Sequence, residues 1–388
     1  LRVSDAHHPA TDLSRACLLA AQARGIGYSA DLNSGDERGI SLMQSTTFRG
    51  ERWSAGRAFL HPLRSNLRLT LRCGASVSRV LIAAGRAQGV EYTDRGSRAV
   101  KRAFASAGVI LTAGALTSPK LLMLSGIGAA DHLKAFGLPV HVDLPGVGRN
   151  LSDHTKVPLQ IRTTKNYGYS GEDSGLRVLR HGLQYALSRT GAASSTGSEV
   201  TGFFDPDEPL GEPTLQLYCL GTLFGEHGTR QPPGATLSVD LVNPSSVGVV
   251  RLRSADPAVP PAVDPALLTS QDDVGKLLSG LKFLREIIRT KPLADMVSEM
   301  AAPIAAARSD IDLIGYMRST AQSNWHFAGT CRMGPDDDAM AVLDGNLKVR
   351  GIDGLWVFDA SMMPKVVRAN TNACAMAVAA RACALLAG

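Results

Sequence analysis

The segment from residue 108 to residue 124 constrains the fold of this chain most. An apolar run at residues 108–112 leads into a small-residue turn at residues 113–115, and Ser118 with Pro119 then suits an N-cap and a first helical position. A buried strand that passes through a tight turn into a helix N-terminus lets backbone N–H groups approach a phosphate or a nucleotide. An ordinary strand-to-helix connection has the same pattern. The segment therefore predicts an α/β layer and leaves a nucleotide site open.

Length and composition exclude several classes of protein. The 388 residues suffice for two domains, and 44% hydrophobic with 20% charged residues is ordinary for a globular protein. The net charge is +6, but no run of five or six basic residues occurs, which favours a solvated surface over nucleic-acid binding. The six cysteines form no C-x-x-C pair and no regular spacing. This indicates reduced thiols and predicts neither a disulfide frame nor a metal site.

The cellular location is predicted from two missing signals. No apolar run reaches the roughly 18 residues that a bilayer span requires, and the start of the sequence carries no signal peptide. We therefore expect a cytoplasmic protein, with peripheral membrane association left open. The sequence begins at Leu1 within a polar stretch, which indicates a processed or truncated product.

Two blocks near the C-terminus carry the candidate chemistry. His326 runs into a glycine-containing turn at residues 327–334, and Asn370 precedes an apolar, helix-like tail. A histidine and an asparagine beside turns can present one titratable group and one fixed hydrogen-bond partner to a small molecule. A buried structural histidine and a helix N-cap asparagine are the alternative, which is favoured when these two residues are considered alone.

The remaining patterns predict a mixed α/β fold. Residue periodicity and capping predict helices at 11–24, 270–288 and 373–387, the first with Thr11 or Asp12 as its cap and the second with Ser270. Short apolar runs predict a strand meander and further strands, with loops between them. These lie at 67–72, 77–82, 90–92, 214–220, 235–242 and 355–358, with loops at 194–197 and 225–228. Strands and helices from 157 to 322 suggest an antiparallel sheet with helices packed on it, the usual form of an insertion that covers a ligand.

Two motif matches and one missing motif argue against other functions. Residues 25–30 fit G-x-G-x-x-A, but a helix precedes them and a polar loop follows, so we predict a turn instead of a dinucleotide site. The chain has no G-x-S-x-G elbow, which disfavours an α/β-hydrolase. Residues 336–338 are three aspartates without the spacing of a calcium loop, and we predict a solvated turn there.

Four blocks together resemble the glucose–methanol–choline (GMC) family of flavin oxidoreductases. Residues 114–128 match the family's second signature along its whole length, and residues 145–154 resemble its P-G-V-G-x-N-L-x-D-H motif. Residues 243–257 resemble its substrate-domain strand. His326 and residues 359–372 resemble its C-terminal active-site segment. The resemblance covers essentially all of this chain.

The resemblance implies a partial FAD-binding Rossmann-like domain and an antiparallel-sheet-and-helix substrate domain. Residues 1–45 would form a substrate-domain or lid portion, and residues 46–156 a portion of the FAD-binding domain. Residues 157–322 would form the substrate domain, and residues 323–388 the C-terminal active-site portion of the FAD-binding domain.

The family's N-terminal segment has no counterpart here. Family members begin with a strand, a G-x-G-x-x-G turn and a helix that hold the ADP half of FAD, and they carry a first signature around the flavin. Neither occurs in this sequence, and by comparison with the family roughly 150 residues are missing ahead of Leu1. The expectation is a fragment, one piece of a split protein, or a sequence without its front part.

The resemblance also implies roles for individual residues. His326 matches the catalytic histidine, and Asn370 occupies the position where the family has an Asn or a His. Other matched positions would contact the adenine, the ribityl–pyrophosphate portion and the flavin ring. These cofactor-binding residues are Val77, Ala113, Trp325, Asp359, Ala360, Thr371 and Asn372.

The implied reaction is oxidation of an alcohol to a carbonyl, with hydride passing to flavin N5. The His326 imidazole would accept the hydroxyl proton, and the Asn370 amide would donate a hydrogen bond to the developing alkoxide. The helix near Thr371 would place unpaired N–H groups and a partial positive charge near flavin N1 and C2=O. The electron acceptor would be oxygen or a quinone, and the oligomeric state stays open.

Trp325 is the one clue to the substrate. A tryptophan directly before the catalytic histidine resembles members that act on aromatic or heteroaromatic primary alcohols, such as hydroxymethylfurfural or benzylic alcohols, on which an indole can stack. Packing of Trp325 under the flavin is an equal alternative. Two other functions also stay open: a hydroxynitrile-lyase-like enzyme that keeps FAD without redox turnover, and a fragment that cannot hold FAD alone.

Overall fold

The computed structural model describes residues 1–5, 8–223 and 232–387, so the loop predicted at 225–228 lies outside the described residues. The α-helices are α1 Asp12–Ala23, α2 Ser118–Leu124, α3 Ala130–Ala135, α4 Gly175–Ser188, α5 Gln271–Ile288, α6 Asp310–Thr320 and α7 Thr371–Ala387. The strands are β1 Gly39–Leu42, β2 Thr47–Phe48, β3 Glu51–Arg52, β4 Ala75–Ala83, β5 Arg86–Asp94, β6 Val100–Phe104, β7 Val109–Leu111, β8 Ile127–Gly128, β9 Val142–Asp143, β10 Thr155–Thr163, β11 Ser198–Phe204, β12 Leu215–Leu220, β13 Gly234–Leu241, β14 Val249–Arg251, β15 Ala262–Asp264, β16 Val297–Met300, β17 Gln322–Ser323 and β18 Leu355–Val357.

The chain forms two compact units, each built from separate stretches of sequence. Unit 1 comprises residues 1–69, 155–242 and 270–322, and unit 2 comprises residues 70–154, 243–269 and 323–388.

These units divide the chain at different points from the domains that we expected. Residues 46–69 group with unit 1, because Ser4 bonds through its backbone to Ser45 and through its hydroxyl to the Thr47 carbonyl oxygen. Residues 243–269 group with unit 2, because Leu151 and Gly248 exchange two backbone hydrogen bonds of 3.1 and 2.7 Å. Contacts between residues far apart in sequence set both differences.

Unit 1 is built on an antiparallel sheet with the strand order β1-β11-β12-β13-β10-β16. Helix α5 packs on β12 and β13 with a fully buried stripe that includes Leu277, Leu281 and Leu284. These leucines recur at three- and four-residue steps, so one helix face is apolar, and Asp272 and Asp273 complement the helix dipole in the first turn. The predicted antiparallel sheet with a helix packed on it is confirmed.

Unit 2 contains the three-stranded meander β4-β5-β6. The predicted strand at 67–72 is wrong: this stretch is irregular, and the Leu67 and Leu71 side chains are exposed. Its alternating leucines match a strand pattern but meet no sheet face that would bury them. The sequence also gave no signal for β6, because all five of its residues are exposed and no alternation marks it.

The strand–turn–helix segment lies at the centre of unit 2. Strand β7 pairs in parallel with β18, so that Val109 lies opposite Leu355 and Leu111 opposite Val357, all buried. Helix α2 follows the turn with Thr117 as its N-cap and Ser118 as its first residue, one position earlier than predicted. Parallel and antiparallel strands thus occur together, which confirms the predicted mixed α/β class.

The local predictions near the N-terminus are also confirmed. Thr11 caps α1 through a hydrogen bond from the Ser14 N–H to its hydroxyl oxygen at 3.3 Å. Residues 25–30, the G-x-G-x-x-A match, follow α1 and lead into no helix, as expected for a turn.

Within the described residues, no helix combines the length and hydropathy that crossing a bilayer requires.

Two glycines of α5 test how closely this helix packs on the sheet. A Cβ at Gly280 would lie 2.5 Å from Leu215 Cδ1 and 2.8 Å from Val239 Cγ2, both in fully buried side chains, whereas a Cβ at Gly275 would meet no described atom within 4 Å. Alanine is favoured over glycine in a helix by about 0.5–1 kcal/mol, and we expect Gly275→Ala to raise the free energy of unfolding by that much. We expect Gly280→Ala to lower it by about 1–3 kcal/mol, because the core would be overpacked. Urea denaturation followed by circular dichroism measures both, and equal effects at the two positions would contradict the packing.

Candidate active site

Two segments of unit 2 run side by side and bring the predicted motif blocks together. Ser152 and Ala328 exchange backbone hydrogen bonds of 3.0 and 2.9 Å, and the Asn324 N–H donates to the His154 carbonyl oxygen at 3.0 Å. This short antiparallel pairing fixes His154 directly beside His326. The structure therefore joins the D-H end of the 145–154 motif to the C-terminal block.

A chain of hydrogen bonds sets the protonation pattern of the two imidazoles. His154 Nε2 lies 2.9 Å from the Val367 carbonyl oxygen, and His154 Nδ1 lies 2.9 Å from His326 Nδ1. Because a carbonyl oxygen only accepts, His154 Nε2 carries the hydrogen, and Nδ1 of the neutral ring is an acceptor. His326 Nδ1 then donates to it. The lone pair of a neutral His326 is therefore on Nε2.

Asn370 faces this lone pair. Its Nδ2 lies 3.2 Å from His326 Nε2, and the amide nitrogen is a donor, which agrees with the tautomer that His154 imposes. Asn370 is exposed and directly precedes α7, whereas His326 is half-buried and His154 is fully buried. The histidine and the asparagine that the sequence suggested are thus neighbours in the structure.

The Asp153 side chain is bonded to the backbone at His326. Its Oδ1 accepts a hydrogen bond from the His326 N–H at 2.8 Å, and its side chain is buried. Burial raises the pKa of Asp153 to about 6, against the lowering effect of hydrogen bonds from the Ser323 side chain and from the His326 and His154 N–H groups. Sequence reasoning did not single out Asp153 or His154 as site residues. The signal was present, since both end the family motif at residues 145–154.

Trp325 adopts an uncommon backbone conformation directly before His326. Its φ of 58° lies in the left-handed region, which large aromatic residues rarely adopt, and its N–H donates to Ser323 Oγ at 2.8 Å. The indole is 80% exposed. The bend therefore directs the imidazole inward within unit 2 and the indole outward.

Asp359 braces the turn between β7 and α2. Its Oδ2 accepts hydrogen bonds from the Gly114 N–H at 2.9 Å and the Ser118 hydroxyl at 2.5 Å, and its Oδ1 accepts from the Ser361 N–H at 2.8 Å. The Ser118 oxygen in turn accepts from the Ala113 N–H at 3.1 Å. The carboxylate and the N–H groups of Ala113 and Gly114 are thus engaged within the protein, and these bonds fix the shape of the turn.

The turn between β7 and α2 has open space beside Gly114. Gly114 has a φ of +83°, and a Cβ added there would meet no described atom within 4 Å. Ala113 is exposed, and Ala360 is half-buried, with its carbonyl oxygen accepting from the Gly329 N–H at 3.2 Å. The backbone on both sides of the Asp359 brace therefore borders an open region.

The remaining predicted cofactor residues divide between two places in unit 2. Thr371 is half-buried and Asn372 exposed at the start of α7, which begins two residues earlier than predicted. Val77 lies on β4 with Tyr92 of β5 as its register partner. The β4-β5-β6 meander therefore positions Val77, and the hydrogen bonds around His154 and His326 do not.

Comparison with family models identifies one family. A family described as GMC oxidoreductase matches residues 1–156 with its N-terminal model and residues 244–379 with its C-terminal model. Both blocks of the histidine cluster lie within these matches.

Curated relatives match nearly the whole chain. Mitochondrial choline dehydrogenase from Mus musculus is 36% identical over 384 residues, which are 98% of this chain and 64% of that protein. Alcohol dehydrogenase (acceptor) from Pseudomonas putida is 34% identical over 380 residues, which are 96% of this chain and 68% of that protein. The chain thus spans less than two thirds of the length of the choline dehydrogenase.

Solved structures agree with these matches. Pyridoxine 4-oxidase from Mesorbium loti has a TM-score of 0.83 and 27% identity, covering 96% of this chain and 70% of that chain. A variant formate oxidase from Aspergillus oryzae, studied for its FAD modification, has a TM-score of 0.89 and 26% identity, covering 99% of this chain and 72% of that chain. The fold is therefore shared along almost the full length of this chain.

The Asp153 carboxyl predicts a pH-dependent stability. Its pKa is raised from the ordinary value of 3.8 to about 6 in the folded state, so stability falls as the pH rises between these two values. The loss is complete above pH 6 and absent at low pH, where the folded and unfolded states are both protonated. We expect the stability of Asp153→Asn relative to the parent to rise by roughly 2–3 kcal/mol between pH 4 and pH 8. Urea denaturation across this range measures the difference. Asp337→Asn, at an exposed site in unit 2, is the control, and a relative stability of Asp153→Asn that is flat with pH would contradict a raised pKa.

Proposed function

The chain belongs to the GMC oxidoreductase family, and we propose that it carries the substrate-binding and catalytic parts of an FAD-dependent enzyme that oxidises a primary alcohol to the aldehyde. The supporting observation is the 3.2 Å contact between His326 Nε2 and Asn370 Nδ2. These two groups offer an acceptor and a donor at one point, and a hydroxyl requires both. Relatives named for choline, for an alcohol and for pyridoxine agree with this class of substrate.

The open turn of unit 2 fits FAD as the cofactor. The glycine at 114 leaves room for a ligand against the backbone of Ala113 and Ala360. The first turn of α7 presents the N–H groups of Thr371 and Asn372, and such groups suit an electron-rich edge. We propose that these four residues hold the cofactor and that Asp359 fixes their turn.

Two further contacts complete the proposed cofactor site. The Val77 backbone would contact the adenine, as its match to the family implies. Trp325 would lie at the flavin end, because it directly precedes His326. When bound, the flavin would accept the hydride from the carbinol carbon.

The residues of the chain supply the proton chemistry. A substrate hydroxyl would replace the hydrogen bond between His326 and Asn370, donating to His326 Nε2 and accepting from Asn370 Nδ2 once the two side chains move apart. His326 takes the hydroxyl proton as general base, and the Asn370 amide stabilises the charge that develops on the oxygen. His154 is a positioning residue, because its acceptor Nδ1 keeps the His326 lone pair on Nε2 before the proton arrives. It also stabilises the imidazolium afterwards by accepting from His326 Nδ1.

The acceptor and the location are further parts of the proposal. We propose oxygen or a quinone as the oxidant of the second half-reaction, and we infer a cytoplasmic location from the sequence alone. Hydrogen peroxide production under air identifies oxygen, whereas turnover only with an added quinone identifies the other. Cell fractionation tests the location.

A hydroxynitrile-lyase-like enzyme is the second candidate, and a chain that cannot hold FAD alone is the third. Added alcohol removes the visible flavin absorbance in an oxidoreductase and leaves it unchanged in a lyase. A yellow, FAD-containing preparation of residues 1–388 would exclude the third candidate. These observations separate the three without any variant.

Replacement of the two polar residues tests the proton chemistry. We expect His326→Ala to lower the rate of flavin reduction by alcohol about 10²-fold or more, because the general base is removed. We expect a smaller loss for Asn370→Ala. Anaerobic stopped-flow mixing of FAD-loaded protein with the alcohol measures both rates, with the exposed His141→Ala of unit 2 as a control. Flavin reduction at the parent rate in His326→Ala would remove the base assignment, and unchanged kinetics in Asn370→Ala would make that residue a helix cap.

Trp325 tests the class of substrate. We propose that the exposed indole stacks on an aromatic or heteroaromatic alcohol. We expect Trp325→Leu to lower the kcat/KM for benzylic alcohol relative to choline by about threefold to tenfold. Trp325→Phe keeps an aromatic face and is expected to retain most of the preference. Steady-state kinetics with both alcohols gives the ratio, and a parent protein that prefers choline or aliphatic alcohols would overturn this proposal.

A further inference from the structure

Helix α4 of unit 1 turns its apolar face outward. Its leucines recur at three- and four-residue steps, so they form one stripe along the helix. The structure describes α4 in full, and none of its residues is buried. The exposures of this leucine stripe are 83% for Leu176, 68% for Leu179, 62% for Leu183 and 79% for Leu187. A helix that contributes to a core shows the opposite arrangement.

The other side of α4 fixes this orientation. His181 and Tyr185, one turn apart, are the half-buried residues of the helix. His181 Nε2 lies 2.7 Å from a Glu172 carboxylate oxygen, and the Arg189 guanidinium lies 4.9 Å from the centre of the Tyr185 ring. The half-buried side of α4 therefore faces unit 1, and the leucine stripe faces away from it.

Positive charge borders the leucine stripe. Arg177 and Arg180 have side chains that are 57% and 70% exposed, with Glu172 carboxylate oxygens at 3.2 and 3.7 Å. The sequence of α4 contains neither Asp nor Glu, although the exposed Asp173 lies just ahead of it, and Arg189 after its end pairs with Glu51 at 3.3 Å. The helix therefore combines an apolar stripe with two exposed arginines that share one glutamate, and both features suit an anionic lipid surface.

Two features favour a bilayer over a protein partner. The stripe consists of leucines only, whereas the energetic centres of protein interfaces are enriched in Trp, Tyr and Arg. Two copies meeting through this face in a symmetric dimer would also bring the same arginines together. The helix is about 21 Å long, which is too short to cross the roughly 30 Å hydrocarbon core, so it would lie along the membrane surface.

We propose that α4 docks this chain on an anionic bilayer, with the leucine stripe in the acyl boundary and Arg177 and Arg180 at the headgroups. The chain would then be a peripheral membrane protein held by one interfacial helix of unit 1. This proposal rests on unit 1 alone and does not depend on the proposed alcohol oxidation.

Vesicle sedimentation with the full 388-residue chain tests the proposal. The vesicles consist of phosphatidylcholine alone or of an equal mixture with phosphatidylglycerol. We expect binding to the mixed vesicles, weaker binding to phosphatidylcholine, and weakening of the former by salt. The double variant Leu179→Ser with Leu183→Ser should bind the mixed vesicles about tenfold more weakly, because it removes half of the leucine stripe.

Two further variants separate the apolar from the charged contribution. Arg177→Gln with Arg180→Gln should lose the preference for phosphatidylglycerol and keep the weaker binding to phosphatidylcholine. Ile311→Ser is the matched control, because Ile311 is an 82% exposed aliphatic residue on another helix of unit 1, between Asp310 and Asp312. We expect it to bind as the parent does. All of the substituted residues are already exposed, so thermal unfolding followed by circular dichroism should show parent-like midpoints.

Any one of three outcomes would overturn the proposal: no binding of the parent to mixed vesicles, parent-like binding by the double leucine variant, or a loss of binding in Ile311→Ser as large as that caused by the leucine changes. Light scattering adds a separate readout. A parent dimer that the double leucine variant converts to a monomer, without vesicle binding by either, would identify the stripe as a self-association surface instead.

Discussion

The chemistry proposed for unit 2 depends on one line of hydrogen bonds from the Val367 carbonyl oxygen through His154 and His326 to Asn370. A carbonyl at one end fixes the direction of every donor along the line, because it only accepts. The imidazole of His326 is therefore held in one tautomer by groups that touch no substrate. Asp153 adds a second restraint by holding the His326 backbone N–H. In the proposed reaction, a base that is pre-oriented in this way would lose little entropy when an alcohol arrives.

A second network of hydrogen bonds fixes the turn between β7 and α2. Asp359 gathers donors from two parts of the sequence, Gly114 with Ser118 on one side and Ser361 on the other. These hydrogen bonds tie the turn that follows β18 to the start of α2. The proposed cofactor site and the histidine site thus rest on one connected scaffold within unit 2.

Local patterns in the sequence predicted much of the fold, and contacts distant in sequence explain what they missed. The caps of α1 and the apolar stripe of α5 depend on neighbours three or four residues apart, so periodicity finds them. The leucines at 67–72 alternate like a strand, yet a strand also needs a partner, which the local pattern does not report. The parts of the site that the GMC motifs name, His326 and Asn370, were predicted. His154 and Asp153 gain their roles only because Ser152 pairs with Ala328, and no single window of sequence contains that pairing.

The bend at Trp325 separates the side chain at position 325 from the orientation of the neighbouring His326 imidazole. The left-handed backbone there is held by the Ser323 hydroxyl and leads directly to the anchored His326 N–H. The side chain at 325 points away from that framework, so exchanging it alters what surrounds an incoming molecule and leaves the imidazole aimed as before. Related proteins could therefore change the substrates that they accept while the proposed proton-transfer residues keep their geometry.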